Sequence, residues 1–217
     1  DDGITPKRAC EVTESDSLVV PTRMDVSGSA TRFDLLEEFL ESDDVPNESL
    51  MLKGLDKSEL YDLFTETLEA DWDGQFYPLK STAEYLGLTK NALSNYIYRN
   101  SVPASLVVEL LGSADAVVER VPDDIVLGMK RDTVEVDRFV DLDEEFATLL
   151  GYYAAEGFAR EQSTPKGTIH QTTISGVETE ARNFFVDAFD AVLGVDAYRE
   201  NDEKVTASGR LPRAFVA

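Results

Sequence analysis

One cysteine and one histidine in 217 residues leave little room for two common ways of holding a small fold together. Cys10 has no partner for an internal disulfide, and Cys10 with His170 cannot supply the ligands of a structural zinc site, so disulfide-rich secretion and zinc-dependent folding are excluded. The same scarcity removes any catalytic arrangement that needs several histidines. No stretch approaches the roughly 18 uninterrupted apolar residues of a membrane helix, which excludes a helical integral membrane protein. Positive charge is also scarce, with 20 Lys and Arg against 43 Asp and Glu and a net charge of -23.

What is present is a foldable chain. Apolar residues make up 42% and aromatics 9%, enough for one or two domains and too much for wholesale disorder. The chain opens Asp1-Asp2-Gly3, its first methionine is Met24, and no basic start or apolar leader precedes it, so it reads as an internal fragment of a cytoplasmic protein. The acids are spread along the chain, and the bases lean to Arg (12) over Lys (8), a balance of the kind found in salt-loving archaea. At molar salt the Debye length falls to about 3 Å, and dense surface carboxylates then repel little while holding water.

Residues 7 to 24, KRACEVTESDSLVVPTRM, alternate around Leu18-Val19-Val20 and stop at Pro21, the pattern of a short strand leaving a β-domain. From 33 to 73 there are 14 acids against Lys53 and Lys57. Leu35, Leu36, Phe39 and Leu40 predict one helix there and Ser58 to Leu68 a second, together a solvated acidic connector over 31–75.

The balance reverses between 76 and 113, where Lys80, Lys90 and Arg99 face only Glu84 and Glu109. Within STAEYLGLTKNALSNYIYRN, the spacing of Ala83, Gly87, Leu93 and Tyr96 resembles a helix-turn-helix: a small residue where helices cross, glycine in the turn, apolar residues packing the second helix back. Thr89 is expected to cap the second helix. Its outward residues, Lys90, Asn91, Ser94, Asn95, Tyr98 and Arg99, are donors and acceptors suited to base edges and phosphates, with no carboxylate among them. Residues 76–120 are therefore expected to bind double-stranded DNA. Residues 121–140, with Lys130, Arg131 and Arg138, read as an extended linker or hairpin.

Asp141 or Asp143 then caps a helix with two faces. Phe146, Leu149, Leu150 and Tyr153 make a bulky core face; Ala147, Gly151, Ala154 and Ala155 make a small one, useful where another helix backbone comes close. Glu156 ends the helix against the negative pole of its dipole, and Gly157 follows as a stop residue. A cation beside Glu156 would offset that placement. Two such helices packed through their small faces would bring two carboxylates together as a site for Mg2+, able to activate water against a phosphodiester.

These residues, LLGYYAAEGFA, resemble the dodecapeptide motif of the LAGIDADG homing endonucleases found inside inteins. The resemblance implies that Glu156 is the catalytic and metal-binding acid for Mg2+, that Leu149, Leu150, Gly151, Ala154 and Ala155 form the helix-packing motif, and that Gly157 ends the helix. Glu replaces the commoner Asp. It further implies an α+β fold in which 141–217 is a truncated αββαββα subdomain, and in which 1–30 is the end of an intein splicing (Hint) domain. The order is readable: strands over 160–163 and 168–175 around Thr164-Pro165-Lys166-Gly167, a helix from Val177 to Gly194, two strands around Asn201-Asp202, and a helix from Arg210. The family reads DNA with such strands, which makes Arg160, Gln162, Lys166, His170 and Gln171 candidate contacts; Thr172 shares the same reading.

The partners so implied are duplex DNA, a second LAGIDADG subdomain and flanking host-protein segments, with no membrane. Inteins of this kind commonly interrupt replication enzymes. The expectation is an intein endonuclease fragment making metal-dependent double-strand cuts, unable to splice or cleave alone. The alternatives are a decayed intein and a halophilic helix-turn-helix regulator with a C-terminal α/β dimerisation or sensing domain.

Overall fold

The computed structural model describes Thr13, residues 30–165 and residues 167–216. The expected strand at 7 to 24, with Cys10 and the splicing-domain reading, lies outside these residues, as does Lys166. Thr31–Ala217 forms one compact unit. The fold class is α+β, with three antiparallel sheets.

Strand β1 (Arg32–Asp34) leads into helix α1 (Leu35–Glu41), whose first turn is capped by the Asp34 carboxylate accepting from Leu36 N. The apolar residues picked from sequence, Leu35, Leu36, Phe39 and Leu40, are its buried face. Next comes a strand that the acidic surroundings concealed, β2 (Leu50–Lys53). Helix α2 (Lys57–Leu68) begins in a full capping box: Asp56 accepts from Glu59 N, and the Glu59 side chain accepts from Asp56 N.

Helices α3 (Pro78–Tyr85) and α4 (Lys90–Tyr98) pack on α2 and run into strand β3 (Ser101–Pro103). Helices α5 (Ala104–Leu111) and α6 (Ala114–Arg120) follow, then strands β4 (Val126–Met129), β5 (Glu135–Asp137) and β6 (Phe139–Asp141). One sheet has the order β3-β2-β4-β5, and β1 pairs with β6 in a second. The stretch 121–140 is thus a hairpin built into a sheet, with strands drawn also from 31–75 and 76–120.

Arg138, grouped by sequence with Lys130 and Arg131, is a different kind of residue. It is 3% exposed and donates to the Asp34 carboxylate at 2.7 Å from Nη2. Its Nε donates to the same carboxylate, and Nη1 and Nη2 also donate to the carbonyls of Val118, Val121 and Pro122 at the end of α6. The guanidinium therefore ties β1, α1, α6 and β6 together in a place where an unpaired charge could not stay.

The last part runs α7 (Glu144–Glu156), β7 (Gly157–Thr164), β8 (Gly167–Ser175), α8 (Thr179–Leu193), β9 (Ala197–Asn201), β10 (Lys204–Ser208) and α9 (Arg210–Val216). The order of elements follows the sequence expectation, and Asp143 is the cap of α7, accepting from Phe146 N at 2.8 Å. Its sheet has the order β7-β8-β10-β9. One face carries Ile174 and Thr172, both fully buried, and α9 lies against it, with Thr172 Oγ1 donating to Pro212 O. The core continues from Leu35 to Leu211 as one cluster of buried side chains.

Candidate nucleic-acid interface

Two surfaces gather the residues that sequence proposed for DNA. The first is α3, its turn and α4. Pro78 starts α3, where its missing N–H costs nothing. Gly87 takes a left-handed φ of +62° and lets Leu88 N donate back to Ala83 O at 2.7 Å. Thr89 caps α4 by accepting from Ala92 N. Ala83 and Leu93 are buried, as the spacing required, whereas Tyr96 is half-buried and Ile97, which the spacing did not name, is buried. Asn100 turns left-handed after α4, and its carbonyl accepts from Gly54 N beyond β2, which fixes the helix pair to the sheet.

The outward face of α4 is as expected. Lys90, Asn91, Asn95, Tyr98 and Arg99 are exposed, Tyr98 almost wholly, and Ser94 is half-buried. Among the described residues no carboxylate lies within ion-pair distance of Lys80, Lys90 or Arg99. Their charge is available to a ligand.

The second surface is the face of the β7-β8-β10-β9 sheet opposite Ile174 and Thr172. Registers place Phe158, Arg160 and Gln162 of β7 beside Thr173, Gln171 and Ile169 of β8, and Ser208 and Thr206 of β10 next to them. Arg160 Nε donates to Gln171 Oε1 at 2.6 Å, and its Nη2 pairs with Glu200 at 3.1 Å. Gln171 Nε2 donates to Tyr198 Oη at 2.9 Å; Thr206 Oγ1 donates to Glu200 Oε2 at 2.9 Å. The Thr206 bond first, and Arg160 next, hold the Glu200 carboxyl below the usual carboxylate range.

This network sorts the candidates. Gln162 is exposed and Arg160 partly so, whereas Gln171 is buried with its amide engaged on both sides: it positions Arg160 and Tyr198 and does not itself face a ligand. His170, one residue earlier, points to the other face by the two-residue period of a strand. Its Nε2 accepts from Arg210 Nε and lies 3.2 Å from Arg210 Nη2, while Nδ1 is buried with no hydrogen-bond partner and 3.8 Å from Glu161. Burial, then the Arg210 charge, pushes the His170 pKa down. Thr172 is buried, so neither it nor His170 shares a face with Arg160. Sequence missed Tyr198 and Glu200, which share a face of β9; strict alternation along β8 and β9 is the signal that would have separated the faces.

The α7 expectations divide. Leu149 is buried and Leu150 half-buried, but Ala147, Gly151, Ala154 and Ala155 are exposed, and a Cβ placed on Gly151 would meet nothing within 4 Å. The small face has no packing partner among the described residues. Gly157 is required for a reason other than a left-handed stop: its φ is -92°, and a Cβ there would fall 2.2 Å from the Tyr153 ring and 2.5 Å from its carbonyl. Glu156 is exposed and opens on a cleft of about 550 Å3 with Glu178 and Glu203. Among the described residues no three His, Cys, Asp or Glu side chains are grouped so as to hold a metal ion. Among the described residues no helix is long and apolar enough to cross a membrane.

No protein-family model matches the chain. It is similar to the DNA polymerase II large subunit of Haloquadratum walsbyi, 25% identical over 208 residues, and to that of Thermococcus kodakarensis, 29% identical over 208 residues. These alignments take in 91% and 94% of the chain but 9% and 10% of the relatives, so the chain spans about a tenth of their length. The relatives are named for a polymerase subunit, which corrects the reading of the chain as an intein-borne LAGIDADG endonuclease and the regulator alternative with it. The physical weakness of the motif is plain in α7: an amphipathic helix with a small outer face, ending in an acid and a sterically required glycine, satisfies the pattern by itself.

Proposed function

We propose that this chain is a DNA-contacting segment of a larger, cytoplasmic replication protein of the DNA polymerase II large-subunit kind. Nucleotidyl transfer and the divalent metal it uses belong, on this reading, to the rest of that protein. The segment's own part is to hold duplex DNA, with 76–120 and 141–217 carrying the contacts and 31–75 the acidic outer face.

One observation carries the reading. In a chain of net charge -23, exposed cations without a carboxylate partner are kept on α4 and its approach, where a second helix of a helix-turn-helix would enter the major groove. Lys90 and Arg99 at its two ends suit phosphates, and Asn91 and Asn95, one turn apart, suit base edges. The Arg160-Gln171-Tyr198 network offers a second, pre-arranged polar face whose side chains need no reordering on contact.

The test is duplex binding by fluorescence anisotropy across a salt series in which the chain stays folded. Replacing both Lys90 and Arg99 with Gln is expected to weaken binding and flatten the plot of log affinity against log salt by about two. The same change at Lys57, on the acidic α2, should leave the slope unaltered. Equal effects at both places, or no binding by the unaltered chain, would refute the proposal.

A further inference from the structure

A cleft of about 470 Å3 lies between the β4–β5 turn and the junctions of β8 and α9, lined by Lys130, Arg131, Asp132, His170, Ser208 and Arg210 among others. Sequence named Lys130, Arg131 and His170 separately and did not join them in one place. Among the described residues Lys130, Arg131 and Arg210 have no carboxylate within ion-pair distance, a condition they share with Lys57, Lys80, Lys90 and Arg99; what sets them apart is that all three line one cleft. The one acid in the cleft, Asp132, is partly occupied, its Oδ1 accepting from Val134 N at 3.1 Å. Three cations face one acid in a chain whose acids outnumber its bases twofold.

The walls are built. Asp132 N donates to Met129 O, closing a four-residue turn whose third residue, Arg131, has a φ of +71°. That position favours glycine, so an arginine there keeps its side chain at the cost of local strain. Lys130 N donates to Ser49 O, which pins the turn to the end of β2. Across the cleft, Gly209 N donates to His170 O, and a Cβ on Gly209 would lie 3.0 Å from the Val134 side chain. His170 Nε2 accepts from Arg210, which holds that guanidinium in place with other N–H groups left to donate.

Ile169 and Ser208 line this cleft and also lie on the polar face with Gln171, so the two surfaces are continuous. We propose that the cleft is a phosphate site, occupied by a phosphodiester of the nucleic-acid backbone as a strand leaves the β7–β10 face. Its lining carries no Phe, Tyr or Trp, and its one ring, His170, is nearly buried and engaged by Arg210, which favours a backbone phosphate over a stacked nucleotide. The choice of strand rests on the DNA-contacting role proposed above; the phosphate chemistry stands on the cleft alone.

The experiment pairs two titrations of the intact chain, unaltered and as the variant Lys130→Gln, Arg131→Gly, Arg210→Gln. In the first, duplex affinity is followed against salt. The slope should fall by about two to three in the variant, with circular dichroism unchanged. An unchanged slope overturns the proposal. In the second, inorganic pyrophosphate is titrated by calorimetry. Binding lost in the variant, without any duplex binding by the unaltered chain, upholds the phosphate site and refutes the DNA-contacting role. Failure of both ligands refutes both.

Discussion

Neutralising Asp34 as Asp34→Asn would leave the buried Arg138 guanidinium with only the exposed Asp123 carboxylate, 3.9 Å from Nη1, as counter-charge. Arg138 is 3% exposed and the Asp34 side chain 13%, so solvent cannot replace the lost partner. Breaking a buried ion pair from one side costs about 3–5 kcal/mol. Asparagine is as good an N-cap as aspartate, so the bond to Leu36 N survives and adds little to the loss. The low end of the range, about 3 kcal/mol, is expected, a large share of the 5–15 kcal/mol typical of a folded domain. Urea unfolding followed by circular dichroism reads this as a lower midpoint with an unchanged slope. Because the pair is shielded, the loss should be the same at low and molar salt. Glu135→Gln, which breaks the more exposed pair with Lys53, should cost under about 1 kcal/mol and less in salt. A cost below about 1 kcal/mol for Asp34→Asn, or one that fades with salt, would refute the assignment of Arg138 as a buried tie.

The two glycines of α7 should behave oppositely in thermal unfolding. Gly151→Ala, on an open helix face, is expected to stabilise by about 1 kcal/mol, whereas Gly157→Ala must move the Tyr153 turn and should cost about 1–3 kcal/mol. A loss at Gly151 would mean that another helix covers that face. His170 gives a pH signature. Its folded pKa lies below the ordinary 6.5, with burial and the Arg210 and Arg213 charges outweighing Glu161 and Asp132. The unfolded chain therefore binds the proton first as pH falls, so stability is full above about 6.5 and declines below it until the folded group also protonates. His170→Gln should flatten that part of the profile in urea midpoints between about pH 7 and 5; an unchanged profile would remove His170 from the account.

Much of the fold was legible because the period of apolar residues is a local property. Leu35, Leu36, Phe39 and Leu40 announced α1, and Ala83, Gly87, Thr89 and Leu93 announced the helix pair with its turn and cap. What escaped depends on partners distant in sequence. β2 reads as part of an acidic helical stretch until β3 and β4 pair with it from 50 and more residues away. Arg138 reads as surface charge until Asp34, 104 residues earlier, meets it. Gln171 and His170 look equivalent as neighbours, yet a strand sends them to opposite faces, one into a polar network and one to Arg210. The motif around Glu156 misled for a related reason: helix amphipathicity and a steric demand for Gly157 produce it without a helix packed on the small face.

On this reading DNA touches α4 and the face of the β7–β10 sheet that carries Arg160 and Gln162, whose centre at Gln171, Thr173 and Thr206 is buried. Amide shifts in two-dimensional NMR of the 15N-labelled chain, recorded as a short duplex is added, test it most directly. Perturbations should concentrate at Lys90 to Arg99 and along β7 and β10, and leave the acidic α1 and α2 unmoved. Shifts confined to α1 and α2, or none at duplex concentrations well above those of the salt series, would contradict it.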